Sequence, residues 1–151
     1  DVTTLYKSAE CMKIMLDELE AIYKDKGITK IVGIESRGFV IGAALAARLG
    51  CGFVMARKPG KLPATVIKEY YTKEYGVDTI EMHVDAIEEN DVVLIHDDLL
   101  ATGGTAKAAY KLVKHFRPRK IYMNFIIEIK DEGLHGRDEF EGIDLTTLIT
   151  I

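Results

Sequence analysis

One short segment, Val92–Thr105, restricts the possible folds of this 151-residue chain more than any other part of it. It opens with the apolar run Val92–Ile95, which is typical of a buried strand in a parallel sheet. Two aspartates follow at the expected end of the strand, and a turn of small residues then leads into a helix predicted over about Thr105–Phe116. This order predicts an α/β fold that binds its ligand at the carboxyl edge of the sheet.

The turn in this segment is suited to an anion. Its side chains are small, so backbone N–H groups can close around a phosphate without steric obstruction. The unpaired N–H groups and the positive dipole end of the following helix add to the attraction. The residues predicted to bind this phosphate are Ala101, Thr102, Gly103, Gly104 and Thr105.

Asp97 and Asp98 need a separate explanation, because carboxylates repel a phosphate. Hydroxyl groups of the same ligand would instead donate hydrogen bonds to them, so a sugar phosphate satisfies both parts of the segment. The alternative interpretation is a solvated acid pair followed by an ordinary turn, since Gly-rich turns often occur without a ligand.

The same segment resembles the signature with which type I phosphoribosyltransferases bind phosphoribosyl pyrophosphate (PRPP). Its form, Asp-Asp-Leu-Leu-Ala-Thr-Gly-Gly-Thr, is most similar to that of the adenine phosphoribosyltransferases. Three further matches occur in the order found in that family, at 35–39, 57–63 and 74–76. They read Glu-Ser-Arg-Gly-Phe, Arg-Lys-Pro-Gly-Lys-Leu-Pro and Glu-Tyr-Gly.

The resemblance implies transfer of the 5-phosphoribosyl group of PRPP to adenine, which gives AMP and pyrophosphate in purine salvage. It assigns Asp97 and Asp98 to the ribose hydroxyls, close to the positive charge that develops on the ring, and residues 101–105 to the 5-phosphate. It also implies a homodimer and Mg²⁺ bound mainly through PRPP and pyrophosphate, with no cluster of protein ligands for the metal.

The pyrophosphate is assigned by the resemblance to four residues: Ser36, Arg37, Arg57 and Lys61. A guanidinium binds phosphate oxygens in bidentate fashion, which suits Arg37, at the end of a predicted strand, to a catalytic role in holding the pyrophosphate. In the family this loop contains a non-proline cis peptide bond, which we expect here between Glu35 and Ser36. A surface salt bridge is the alternative interpretation of Arg37.

Residues 58–80 interrupt the alternation of strands and helices and are expected to form a flexible catalytic loop. Residues 65–67 and 77–80 are predicted to pair as two short strands. The resemblance implies that Glu74 and Tyr75 close over the active site, with Glu74 acting on the purine N7 proton or positioning the base. A solvated loop glutamate is the alternative.

Length and composition fit a single domain over residues 1–151. Strands are predicted at 30–34, 52–56, 92–95, 121–129 and 145–151. Their alternation with helices predicts a parallel sheet with right-handed crossovers, which agrees with the Rossmann-like, helix-flanked fold that the resemblance implies.

The two cysteines lack metal-ligand spacing, and no apolar run is long enough to cross a membrane. A cytoplasmic location without a membrane partner is therefore expected.

Two features differ from the family pattern. The chain begins at Asp1, where the family has a preceding hood segment that contacts the adenine, so we expect the hood to be absent. His96 stands before the acid pair, where the family commonly has an apolar residue.

Alternative functions on the same fold are transfer to xanthine, hypoxanthine-guanine or orotate, and a PRPP-sensing transcription regulator. The net charge of −4 and the absence of a basic face weigh against a nucleic-acid partner.

Overall fold

The computed structural model describes residues 1–73 and 75–151, which form an α/β domain with a separate two-stranded ribbon. In chain order the elements are α1 (Val2–Tyr6), α2 (Ala9–Tyr23), β1 (Lys30–Ile34), α3 (Gly38–Leu49), β2 (Gly52–Ala56), β3 (Val66–Thr72), β4 (Val77–His83), β5 (Val92–Leu100), α4 (Gly104–His115), β6 (Lys120–Glu128), a 3₁₀ helix (Gly136–Phe140) and β7 (Asp144–Thr150). None of the helices in this part of the chain combines the length and apolar character needed to cross a bilayer.

The main sheet has the order β2-β1-β5-β6-β7, and all its strands are parallel. This confirms the predicted sheet. Successive residues of β5 face opposite sides, so Leu94 belongs to the apolar cluster that contains Leu19 of α2 and Leu45 of α3, whereas Ile95 belongs to the cluster that contains Ala109 of α4. Helices thus cover both faces, which explains why β5 is apolar on both sides.

The prediction that β5 ends at Ile95 was wrong. The strand continues to Leu100, because its pairing with β6 extends as far as Leu100 opposite Glu128. Asp97 and Asp98 therefore lie within the last part of the strand, so their backbone is held by the sheet.

Smaller differences concern the ends of elements. Helix α4 begins at Gly104, one residue earlier than predicted, and β6 and β7 are shifted by one residue toward the N-terminus.

Helix α1 was not predicted; the Asp1 side chain caps it by accepting a hydrogen bond from the Thr3 N–H at 3.0 Å. The 3₁₀ helix was also not predicted, and the Gly136 N–H at its start donates to the Ala101 carbonyl at 3.0 Å.

Strands β3 and β4 form an antiparallel ribbon, as predicted, but it is longer than the sequence suggested. The pairing runs from Val66 opposite His83 to Thr72 opposite Val77. Apolar residues of the ribbon, such as Ile80 and Met82, are buried in the cluster that also contains α4. The ribbon is therefore attached to the helix that follows the small-residue turn. The flexibility expected of residues 58–80 stays a prediction.

Asp91 fastens the start of β5 to the start of β1. Its side chain accepts hydrogen bonds from Thr29 Oγ1 at 2.7 Å, Lys30 Nζ at 2.9 Å and the Glu88 N–H at 2.7 Å. Burial by itself would raise the pKa of Asp91, but these three donors outweigh it and hold the pKa below its usual value.

We expect Asp91→Asn to lower the free energy of unfolding by about 1.5–3 kcal/mol at pH 7, because a carboxylate with three donors is lost. A lowered pKa stabilises the fold above the pKa of the unfolded chain, and this stabilisation is lost as the pH falls through the folded value. The difference from the wild type should therefore shrink below about pH 4. Urea denaturation at pH 7 and pH 3.5 tests this, with exposed Asp25→Asn as the control. An equal difference at both pH values would contradict it.

Candidate active site

The candidate active site lies where the carboxyl ends of β1 and β5 meet. These strands are paired neighbours, so the residues after β1 come next to the acid pair of β5. A cavity of about 550 Å³ opens at this point. The predicted residues that line it are Ser36, Arg37, Asp97, Asp98, Ala101, Thr102, Gly103, Gly104 and Thr105.

The small-residue turn forms one wall of this cavity and leads directly into α4. Gly103, which precedes the helix, has a φ of 84°, a left-handed conformation that favours glycine. A Cβ at Gly103 would also lie 3.0 Å from the Gly136 carbonyl oxygen, so the 3₁₀ helix restricts the turn from outside. The first N–H groups of α4 lack partners within the helix, as in any helix, which makes this wall suitable for an anion.

The two aspartates differ in environment. Asp98 is only 4% exposed, and its Oδ2 is 2.8 Å from Arg37 Nε. Asp97 accepts a hydrogen bond from the Asp98 N–H at 2.8 Å. Burial raises the pKa of Asp97 well above its ordinary value and neighbouring Asp98 raises it further, while Arg37 opposes both effects. The guanidinium therefore compensates the charge of the pair.

Arg37 is also held through its backbone. The Tyr6 hydroxyl of α1 donates to the Arg37 carbonyl at 3.2 Å. Burial, together with Asp98 and Asp97, raises the pKa of Tyr6 to about 12, so the hydroxyl stays protonated at neutral pH. The peptide bond between Glu35 and Ser36, just before Arg37, is cis, which confirms the sequence expectation.

Of the other predicted residues that the structure describes, Arg57, Lys61 and Tyr75 are not among those that line the cavity. Arg57 Nε lies 2.7 Å from Glu35 Oε1, so Arg57 contacts a lining residue rather than the cavity itself. Lys61 is exposed and is likewise not a lining residue. Tyr75 is 83% exposed, and Glu74 lies outside the described residues.

The phosphoribosyl transferase domain family matches residues 1–138 of this chain. An adenine phosphoribosyltransferase of Phocaeicola vulgatus is 64% identical over 152 residues, which cover 100% of this chain and 86% of that protein. The chain belongs to the adenine phosphoribosyltransferase family. The family resemblance inferred from four motifs is thereby confirmed.

Solved structures of this family have the same fold. The adenine phosphoribosyltransferase of Thermoanaerobacter pseudethanolicus superimposes with a TM-score of 0.93 at 41% identity, covering 100% of this chain and 87% of that one. The APRTase of Giardia lamblia complexed with 9-deazaadenine also gives 0.93 at 41% identity, covering 100% and 85%. The parallel sheet and its flanking helices are thus those of the family.

Several residues at or near the site were not predicted as site residues, among them Lys58, Tyr71 and Tyr6. Lys58 and Tyr71 line the cavity, and Tyr6 supports Arg37. Lys58 lies inside the quoted family segment 57–63, so its cationic side chain was a usable signal. Tyr71 belongs to the loop predicted at 58–80, but no local pattern distinguishes it there, and Tyr6 comes from α1, which is distant in sequence.

A buried chain of polar side chains lies beneath the acid pair. His96 Nδ1 is 2.9 Å from Asn124 Oδ1, and Asn124 Nδ2 donates to Thr146 Oγ1 at 2.9 Å. Thr146 Oγ1 is in turn 2.6 Å from the Tyr23 hydroxyl. Burial lowers the pKa of His96 to about 4, although Asn124 and Asp98 oppose this, so the imidazole is neutral at physiological pH. It acts here as a core residue linking β5, β6, β7 and α2.

His96 should make the fold sensitive to mild acid. Its folded pKa lies below the unfolded value of about 6.5, so the unfolded chain binds more protons and stability falls as the pH drops from about 6.5 toward 4. Between pH 7 and pH 4, we expect the wild type to lose about 3 kcal/mol more than His96→Gln.

Urea denaturation of both proteins at a series of pH values measures this difference. The exposed residue His115, changed to Gln, provides the control, and its pH dependence should match that of the wild type. Parallel pH profiles of the wild type and His96→Gln would contradict the assignment.

Proposed function

We propose that this chain transfers the 5-phosphoribosyl group of PRPP to adenine, giving AMP and pyrophosphate. The observation that carries the proposal is that an acid pair, an arginine and an anion-binding turn all face one cavity. These groups match, in type and position, the ribose, the pyrophosphate and the 5-phosphate of a single ligand. Membership of the adenine phosphoribosyltransferase family supports the same reaction.

Asp97 and Asp98 bind the ribose in this mechanism. Their carboxylate oxygens accept hydrogen bonds from the ring hydroxyls, and their charge stabilises the positive charge that develops as the bond to pyrophosphate breaks. Because both residues belong to a paired strand, their backbone does not have to reorganise when the ligand binds. Residues 101–105 hold the 5-phosphate and so fix the other end of the ribose.

Ser36 and Arg37 bind the leaving pyrophosphate. Arg37 exchanges Asp98 for phosphate oxygens, which frees Asp98 to accept from ribose. Lys58 contributes a further positive charge to the cavity. Arg57, which bonds to Glu35, supports the loop, and direct contact of Arg57 and Lys61 with pyrophosphate stays a prediction.

Magnesium fits this site as a companion of PRPP. Among the residues the structure describes, no group of three or more His, Cys, Asp or Glu side chains could hold a metal ion. Mg²⁺ commonly keeps several waters and binds through substrate phosphates, which agrees with a cavity holding two carboxylates. When bound, it neutralises charge on the departing pyrophosphate.

Two residues of the loop after β3 are proposed to act on the adenine base. Glu74 is proposed to act at the purine N7 proton or to position the base, and Tyr75 to close over it. The cytoplasmic location expected from the sequence stays a prediction.

The decisive assay measures nucleotide formation from Mg·PRPP with adenine, hypoxanthine, guanine, xanthine and orotate in parallel. We expect AMP from adenine and no product from the other bases. Asp98→Asn should reduce turnover roughly 100-fold, since an electrostatic contact with the transition state is lost. Asp138→Asn, an exposed residue of the 3₁₀ helix, is the control and should retain full activity.

Two results would contradict the proposal. Product from another base alone would reassign the substrate. Tight PRPP binding without product from any base would favour a PRPP-sensing regulator.

We also propose that the chain forms a homodimer through the β2 edge of the sheet. Met55 of β2 and Val40 of neighbouring α3 are 40% and 42% exposed. The outer edge of β2 meets β4 only at the Arg57–Glu81 bridge just after its end, among the residues that the structure describes. Exposed apolar side chains beside such an edge favour association with another chain.

Sedimentation velocity at micromolar concentration should give a dimer for the wild type and a monomer for Met55→Glu, since a buried unpaired carboxylate opposes association. Val77→Glu, which changes an exposed apolar residue of the ribbon, should remain dimeric. A monomeric wild type, or a dimer that Met55→Glu leaves intact, would refute this interface.

A further inference from the structure

Tyr71 of the ribbon faces the turn proposed for the 5-phosphate. Its side chain lines the same cavity as residues 101–106. The Thr105 side chain in α4 and the Asp78 side chain in β4 lie near its hydroxyl, and both influence its pKa. Asp78 is also the residue paired with Tyr71 across the ribbon. A strand distant in sequence therefore supplies a polar group to the turn.

The ribbon also approaches the start of α4 at Gly104. A Cβ at Gly104 would lie 3.5 Å from the Thr72 carbonyl oxygen and 3.9 Å from Cδ2 of the Tyr71 ring, which are ordinary contact distances. The ribbon thus packs against the first residue of α4. The turn consequently has a second wall, formed by β3.

The Tyr71 hydroxyl is a hydrogen-bond donor at neutral pH. Burial is the main cause that raises its pKa; Thr105 opposes this, and the negative charge of Asp78 reinforces it. Lys73 Nζ lies 3.4 Å from Asp78 Oδ2 and partly offsets that charge. A protonated hydroxyl at the edge of an anion site can donate a hydrogen bond to a phosphate oxygen of the ligand.

We propose that Tyr71 binds the 5-phosphate directly, its hydroxyl donating a hydrogen bond to a phosphate oxygen when the turn is occupied. This assignment rests on the proposed function and deepens it, because it adds a side chain from the ribbon to a site otherwise built from β5 and α4. The bound phosphate then connects the ribbon to the turn. Ligands with a 5-phosphate should therefore depend on Tyr71, whereas pyrophosphate should not.

Titration calorimetry with AMP, ribose 5-phosphate and Mg·pyrophosphate tests this on the full chain. We expect Tyr71→Phe, which keeps the ring, to weaken AMP and ribose 5-phosphate binding roughly 10-fold or more, as for loss of a hydrogen bond to a charged group. Its affinity for Mg·pyrophosphate should stay within about twofold of the wild type, since the hydroxyl does not reach that ligand. Tyr70→Phe, a change at the neighbouring residue that is 60% exposed, is the matched control and should bind all three ligands normally.

Different failures have different meanings. If wild-type protein binds AMP and Tyr71→Phe binds it equally well, only the Tyr71 assignment is overturned. An equal loss for AMP and Mg·pyrophosphate also overturns it, because a purely structural role would disturb both subsites. If the wild type binds neither AMP nor ribose 5-phosphate, the proposed function fails, and the assignment of Tyr71 fails with it.

Discussion

The pairing of β5 with β6 through Leu100 is the constraint on which the rest of the site depends. Because the ladder continues past the acid pair, Asp97 and Asp98 are fixed to the sheet, and the turn begins only after them. Helix α4 then starts at a defined distance from both carboxylates. A ribose with a phosphate at its 5-position needs such a fixed spacing, since its hydroxyls and its phosphate must be held together. The β1–β5 pairing adds the loop that carries Arg37.

Charge balance is the second organising factor. The cavity brings together two adjacent carboxylates, one of which is almost completely buried, and such a pair is unfavourable without a cation. Arg37 provides it at 2.8 Å from Asp98. A guanidinium is also well suited to phosphate oxygens, so in the proposed function the pyrophosphate takes the place of Asp98 as the partner of Arg37. Tyr6 holds the backbone of Arg37 through a hydrogen bond to its carbonyl.

The sequence predicted the parts of this site that are local. The strand, turn and helix around the acid pair were recognisable from residue types and spacing, whereas the cis bond before Ser36 was implied by the family resemblance. The end of β5 was not, because acids usually interrupt a strand and only the pairing with β6 carries it on to Leu100. Tyr6 and Tyr71 were not identified as site residues because tertiary packing, rather than local pattern, brings them to the cavity. Lys58 could have been found within its motif.

The polar chain from His96 to Tyr23 has a consequence for how the protein can change over time. Each of the four side chains forms a hydrogen bond with a neighbour on another element, and three of them, His96, Asn124 and Tyr23, are buried. Replacing a single member by an apolar residue leaves its partner with an unmet hydrogen bond, which costs more than the bond itself contributes. An apolar residue at position 96 would remove the partner of Asn124 Oδ1, but it would also remove the buried His96 Nε2, which has no hydrogen-bond partner among the described residues. The effect on stability of a substitution at any one of the four positions therefore depends on the residues at the other three.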